Sequence, residues 1–290
     1  MLALESIGKH AEIINADPLP ARYAFLSGAD KIKVYPDGSD GKFDAAIVLD
    51  AGTPKRLRLV QNMLKDGMEI LNIDHHVSNT NFGTIQIVAP ELSSTAEILF
   101  ELFKEWGIKI TPEIASNLYA GVFTDTGRFS FNNTNARCLR MAAELVEYGA
   151  DPHQLYKKIY QEQPIGILRL IERSIRSLKM SKDGRYAWIE LLPKDFAETG
   201  TMPVDTESFA EMPRSVKGVE VGLFFRTEGE KNFKGSLRSN TGFNCSKFAA
   251  KFDGGGHRQA AGFTIREDTE TARRMILDEI GRNFNKYIEE

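Results

Sequence analysis

Ile70-Leu71-Asn72-Ile73-Asp74-His75-His76 is the stretch on which the fold turns. A short apolar run that ends in one carboxylate and two adjacent imidazoles has the form of a parallel strand delivering its last residues to a ligand site. Sheets of that kind carry their sites at the carboxyl ends of the strands. Adjacent residues on an extended chain point to opposite sides, so one imidazole can meet a metal while the other faces a substrate. Taken alone, the triplet is explained as well by a solvated turn after a buried strand. The flanking sequence decides between the two.

Upstream, Phe43 to Asp50 is a second buried strand ending in a carboxylate, broken at once by Gly52 and Pro54. A helix over about Lys55 to Lys65 is expected between them, and strand, helix, strand favours parallel pairing. Earlier still, Leu2 to Lys9 has helical spacing, Ala11 to Asn15 reads as a strand, and Asp17-Pro18-Leu19-Pro20 as a turn. Met1 falls inside that first helix with no cap before it.

Downstream, Thr84 to Val88 is strand-like. Ser94-Thr95-Ala96-Glu97 is a capping-box pattern ahead of an apolar stripe (Ile98, Leu99, Leu102, Phe103, Trp106) closed by Gly107. Thr111 and Pro112 start the next helix as cap and first residue. It ends in the polar turn Asp125-Thr126-Gly127, where spacing alone makes Asp125 a capping or turn residue. Helical patterns continue to about Lys179. From near residue 183 the texture changes to a smaller α+β domain: a strand at Tyr186 to Leu191, a hairpin of Val219 to Arg226 with Asn232 to Arg238, and a C-terminal helix. That domain holds Gly254-Gly255-Gly256-His257, read as a loop whose backbone N–H groups can approach an anion, with the histidine adding a charge-assisted bond.

Composition bounds the function. A chain of 290 residues suits two domains, and 42% hydrophobic with 27% charged residues is ordinary for a globular protein. No apolar stretch is long enough to span a bilayer, and the N-terminus lacks the pattern of a secretory signal. Cys138 and Cys245, far apart in sequence, suit a reducing compartment, so a cytoplasmic protein is expected. A formal net charge of -3 supplies no basic field for long nucleic acid, although a local basic pocket for a small phosphate ligand is compatible with it.

Asp50, Asp74, His75, His76 and Asp125 make a set of oxygen and nitrogen ligands suited to Mn²⁺ or a similar divalent ion rather than a thiolate-bound metal. The set resembles the DHH/DHHA1 phosphoesterases, in particular the bacterial oligoribonucleases called nanoRNases, which also dephosphorylate adenosine 3′,5′-bisphosphate. Val48-Leu49-Asp50 is similar to the family's second motif, Asp74-His75-His76 to its third and Phe123-Thr124-Asp125-Thr126-Gly127 to its fourth. Gly254 to His257 with Ala260-Ala261-Gly262 resembles the DHHA1 signature. The resemblance implies an α/β fold: a parallel-sheet DHH domain over residues 1–160 lacking its first strand, a helical linker over 161–182, a DHHA1 domain over 183–290, and an active-site cleft between the domains. It implies that Asp50 bridges two Mn²⁺ ions (Mg²⁺ being the alternative), with His75 and Asp125 completing the protein side of one. His76 would face the phosphate as donor or acid, and Asp74 would hold the histidine loop. Arg238, Gly254, Gly255, Gly256 and His257 would hold the substrate's terminal phosphate and sugar. Two cations roughly 3.5 to 4 Å apart acidify water and clamp phosphoryl oxygens during in-line displacement.

The family's first motif, His-x-x-x-Asp-x-Asp, is not found. Its absence would remove three ligands, leave a sheet position unpaired and expose apolar surface. The preferred expectation is that the sequence starts at an internal methionine of a longer product, short by roughly 25 residues at ordinary element lengths. The competing one is a truncated protein that binds nucleotides without cleaving them. The substrate expected is short RNA or a mononucleotide bisphosphate, with no membrane and no long duplex nucleic acid, and a homodimer is compatible with the chain. Cyclic dinucleotide hydrolysis is the nearest rival activity. A RecJ-type exonuclease is disfavoured because the chain has no room for that group's added domains. A family II pyrophosphatase is disfavoured by the Gly-Gly-Gly-His run.

Overall fold

The computed structural model describes residues 1–37, 41–206 and 208–289. Two compact units divide the chain at Glu162 and Gln163.

The first unit opens with α1 (Leu2–Ser6) and two short parallel strands, β1 (Ile13–Asn15) and β2 (Ile32–Val34). The strands that matter for the site are β3 (Ala45–Leu49), β4 (Glu69–Asp74) and β5 (Ile85–Val88), all parallel, in the spatial order β3-β4-β5. Three strands running the same way bring Asp50, Asp74 and the residues after Val88 to one end of the sheet. β3 lies at an edge, and its Ile47 and Leu49 are about half exposed. The helix expected over Lys55 to Lys65 is absent. The chain instead makes 3₁₀ turns over Pro54–Met63, interrupted at Arg58 with φ 50° and ψ −129°. None of its residues is buried, so no packing supports an α-helix there. Arg58 instead reaches across to the Asp17 carboxylate at 2.6 Å.

Helices α2 (Thr95–Glu105) and α3 (Pro112–Asp125) begin where the caps predict. The Ser94 and Thr111 side chains accept from the N–H groups of Glu97 and Ile114. The capping box is displaced by one residue, because the buried Glu97 carboxylate accepts from the N–H and hydroxyl of Ser93 rather than from Ser94. α2 and α3 cross closely at Gly121, where a Cβ would lie 2.7 Å from that of Ala96. α4 (Ala136–Glu147), capped by Asn135, and α5 (Pro152–Tyr156), running on through a wide turn to Gln161, complete the unit. Phe100, Val122, Leu145 and Ile159 centre its helical core, and Ile73, Leu92 and Ile98 fill the space between sheet and α2.

The second unit comprises α6 (Ile165–Arg176), β6 (Lys179–Met180), β7 (Tyr186–Leu191), α7 (Pro193–Thr199), α8 (Glu211–Arg214), β8 (Val221–Thr227), β9 (Phe233–Ser239), α9 (Cys245–Ala250), β10 (Gly255–His257), β11 (Ala260–Ile265) and α10 (Thr269–Asn283). Its six-stranded sheet has the order β10-β11-β9-β8-β7-β6, antiparallel except for β7 with β8. One core joins the sheet to α9 and α10 through Phe225, Phe233, Phe248 and Ile276; another includes Leu170, Ile189, Phe209 and Phe224. α6, read from the sequence as part of a linker, buries Leu170 within this unit.

The glycine run is not the loop expected. Gly255–His257 forms β10, an edge strand paired with β11. The backbone of β11 explains two of the glycines. A Cβ on Gly254 would collide with the Gly262 carbonyl, and one on Gly256, at φ 148°, with that of Ala260. At Gly255 a Cβ would meet nothing within 4 Å.

Candidate metal centre

Asp50 follows β3 with φ 59°, a left-handed conformation that aspartate tolerates better than most residues. Its N–H stays tied to the sheet, donating to the Ile73 carbonyl at 3.0 Å. The Thr95 hydroxyl, at the first residue of α2, donates to Asp50 Oδ1 at 2.8 Å. Two elements therefore orient this carboxylate.

Asp74 closes β4 fully buried. Its Oδ1 accepts from the His75 N–H (2.9 Å) and faces His76 Nδ1 at 2.6 Å, and its Oδ2 accepts from Asn79 Nδ2 at 2.6 Å. Asn79 is itself anchored to Asn72 Oδ1 at 2.9 Å, and Asn72, also buried, donates to the carbonyl of Ala51 at 3.2 Å. Burial alone would raise the Asp74 pKa. The hydrogen bonds of His76 and Asn79, with the charge of His76, outweigh it and hold the carboxyl below its ordinary value. Asp74 is thus an ionised carboxylate whose oxygens are engaged by the loop it holds.

The histidines take separate roles. His75 Nδ1 lies 3.3 Å from the Leu92 carbonyl, which places the proton on Nδ1 and the lone pair on Nε2. Nε2 lies 3.6 Å from Asp50 Oδ1 and 3.7 Å from Asp125 Oδ2. His76 is buried, and its Nδ1 also lies 3.7 Å from Asp50 Oδ1.

Asp125 is the last residue of α3, and the packing of that helix sets it beside the strand ends. Burial first, and then the charge of Asp50, push its carboxyl up from 3.8 to about 7, with His75 opposing the rise. Ligand atoms of Asp50, His75 and Asp125 all lie within 4.8 Å of one another. Two carboxylates that repel each other around an imidazole lone pair fit a divalent cation, which would relieve the repulsion. Ligand atoms of Asp50, Asp74 and His76 also lie within 4.8 Å of one another, but the oxygens of Asp74 are already engaged.

All five residues singled out in the first half of the sequence thus converge. Thr95 was missed as anything but a helix start. The run Ser93-Ser94-Thr95 held the signal, being three polar residues ahead of an apolar helix, and all three are buried. In the second unit, Arg238 pairs across β9 and β11 with Ala260, which pairs across β11 and β10 with His257. Directly opposed residues share a face of a sheet, so Arg238 and His257 stand on one row with Ala260 between them. Arg238 is half-buried, and its Nε donates to Glu211 Oε1 at 2.8 Å and its Nη1 to the Leu237 carbonyl at 2.9 Å.

A parallel sheet with carboxylates and histidine at its strand ends, followed along the chain by a mixed sheet presenting arginine and histidine, defines a class. The chain belongs to the DHH family of phosphoesterases: the family's N-terminal domain matches residues 4–122 and the DHHA1 domain matches residues 186–286. It is 32% identical over 289 residues to the bifunctional oligoribonuclease and PAP phosphatase NrnA of Thermus thermophilus, covering 98% of this chain and 84% of that protein. To the protein of the same name from Bacillus subtilis it is 29% identical over 240 residues, 81% of this chain and 75% of that one. Among solved structures, an exopolyphosphatase-related protein from Bacteroides fragilis matches with a TM-score of 0.89 at 30% identity, over 97% of this chain and 85% of that chain.

Proposed function

We propose that this protein is a divalent-metal phosphoesterase that hydrolyses short oligoribonucleotides and removes a phosphate from adenosine 3′,5′-bisphosphate. The observation that carries the reading is the convergence of Asp50, His75 and Asp125 within ligand distance of one another. The names of the two similar NrnA proteins support the substrate class. Asp50, His75 and Asp125 would hold the ion, with Mn²⁺ proposed and Mg²⁺ the alternative. When bound, such an ion lowers the pKa of water and polarises a phosphoryl oxygen.

The chain's own residues supply the rest. Thr95 holds the Asp50 carboxylate in place through Oδ1. Asp74, on His76 Nδ1, orients that imidazole, which suits His76 to meet a phosphoryl or leaving oxygen as hydrogen-bond donor or acid. Arg238, steadied by Glu211, presents a forked donor matched to phosphate. Gly254, Gly255, Gly256 and His257 would complete the substrate contacts. The buried free thiols of Cys138 and Cys245 suit the proposed cytoplasmic setting.

The test is release of mononucleotides from di- to pentaribonucleotides, and of phosphate from adenosine 3′,5′-bisphosphate, by purified protein with Mn²⁺ or Mg²⁺. Release from neither substrate with either ion overturns the proposal. Binding of the nucleotides without turnover would instead establish a nucleotide-binding module.

A further inference from the structure

Beyond the ligand set lies a contact that ties two of its supporting elements together. Asn133 Nδ2 donates to the main-chain carbonyl of Ser93 at 2.9 Å and to that of Asp125 at 3.1 Å. Ser93 lies two residues before Thr95, which holds Asp50, and Asp125 is itself in the ligand set. One amide therefore bridges the start of α2 and the end of α3. Its orientation is decided by its partners, because the reverse assignment would set the amide oxygen against two carbonyl oxygens. The buried Oδ1 has no hydrogen-bond partner among the described residues, so the side chain is placed for its donors.

The chain bends sharply to bring Asn133 there. Gly127, Arg128 and Phe129 are three consecutive left-handed residues, at φ 56°, 64° and 59°. Two of them carry side chains, at a cost glycine would avoid. The turn is secured from Thr126, whose hydroxyl accepts from the Phe129 N–H at 3.1 Å. On the other side of the bridge, the buried Glu97 carboxylate grips Ser93 through its N–H (2.8 Å) and its hydroxyl (2.6 Å), and lies 3.3 Å from Arg137 Nε near the start of α4.

We infer that Asn133 is a positioning residue for the metal centre, a clamp that sets Asp125 against Asp50 and His75. The inference rests on the reading of Asp125 as a metal ligand. Truncating the amide frees both carbonyls and lets the end of α3 drift from the start of α2. A support of this kind is worth about 10–100-fold in metal affinity.

Titration calorimetry of the whole protein with Mn²⁺ tests it, comparing wild type, Asn133→Ala and Asp125→Ala, with thermal melts of each in chelator. Asn133→Ala is expected to bind Mn²⁺ about tenfold more weakly while its chelator melt stays cooperative. Its turnover should need correspondingly more Mn²⁺ and approach the wild-type rate at saturation. Unchanged Mn²⁺ affinity in folded Asn133→Ala overturns the clamp, leaving Asn133 a loop-stabilising residue. If Asn133→Ala does not fold, Asn133→Ser, which keeps a single donor, is read by the same criterion. Wild type that binds no Mn²⁺, or Asp125→Ala that binds it as well as wild type, overturns the underlying metal-site reading instead.

Discussion

The Asp125 carboxyl is held at about 7 by burial and by Asp50, well above its ordinary 3.8. Between those two values the folded protein keeps a proton that the unfolded chain has released. Stability of chelated protein should therefore fall as pH rises from about 4 to about 7 and level off above. The side chain is 39% exposed, so water screens the effect and the expected signature is this sign and window. Asp125→Asn should raise the melting temperature at pH 8 in chelator and remove the further rise produced by Mn²⁺. In wild type that Mn²⁺-induced rise should be larger at pH 8 than at pH 5, because the ion competes with the proton. Scanning fluorimetry at the two pH values measures both; an Asp125→Asn protein still stabilised by Mn²⁺ would remove Asp125 from the centre. Thr95→Val keeps the side-chain shape and deletes the hydroxyl that Asp50 accepts from. Activity should fall roughly tenfold, the low end for a residue supporting a ligand. A steady-state assay at fixed Mn²⁺ reads it.

At the level of elements, the crossing of α2 and α3 controls the site, since one helix starts at Thr95 and the other ends at Asp125. Gly121 and Ala96 meet at that crossing, and an added Cβ at Gly121 would lie 2.7 Å from the Ala96 Cβ. Gly121→Ala should destabilise by about 1–3 kcal/mol, the usual cost of overpacking, and weaken Mn²⁺ binding. Adding Ala96→Gly should recover part of the affinity, although the new glycine costs helix stability of its own, about 1 kcal/mol. A double-mutant cycle on melting temperature and Mn²⁺ affinity checks the coupling; strictly additive effects would show that this contact does not set the helix spacing.

Across the molecule, the two units carry different parts of the proposed work. His75→Ala in the first unit should reduce kcat by orders of magnitude and abolish the Mn²⁺ dependence of turnover. Arg238→Ala in the second should raise KM by about tenfold or more while leaving Mn²⁺ affinity in calorimetry unchanged, since the loss of a charged hydrogen bond costs about 1.5–3 kcal/mol. Arg238→Lys should recover only part of the loss, because a lysine lacks the fork. A kcat effect of Arg238→Ala without a KM effect would contradict the division.

Much of this was legible in the sequence because it depends on local signals. Strands ending in Asp50 and Asp74, the caps Ser94 and Thr111, and the hairpin of β8 and β9 are written in short patterns of apolar period, cap and turn residues. The order of the family's motifs then identified which polar residues belong together. Other features depend on neighbours distant in sequence, and only the tertiary structure decided them. The segment expected as a helix over Lys55 to Lys65 buries none of the residues in Pro54–Met63 and forms 3₁₀ turns instead. The glycine run became an edge strand by pairing with β11, whose backbone leaves no room for a Cβ at Gly254 or Gly256. Thr95 showed only as part of the polar run Ser93-Ser94-Thr95 and Asn133 not at all, because a hydrogen bond across 45 residues, or one shared between Ser93 and Asp125, leaves no periodic trace in the chain.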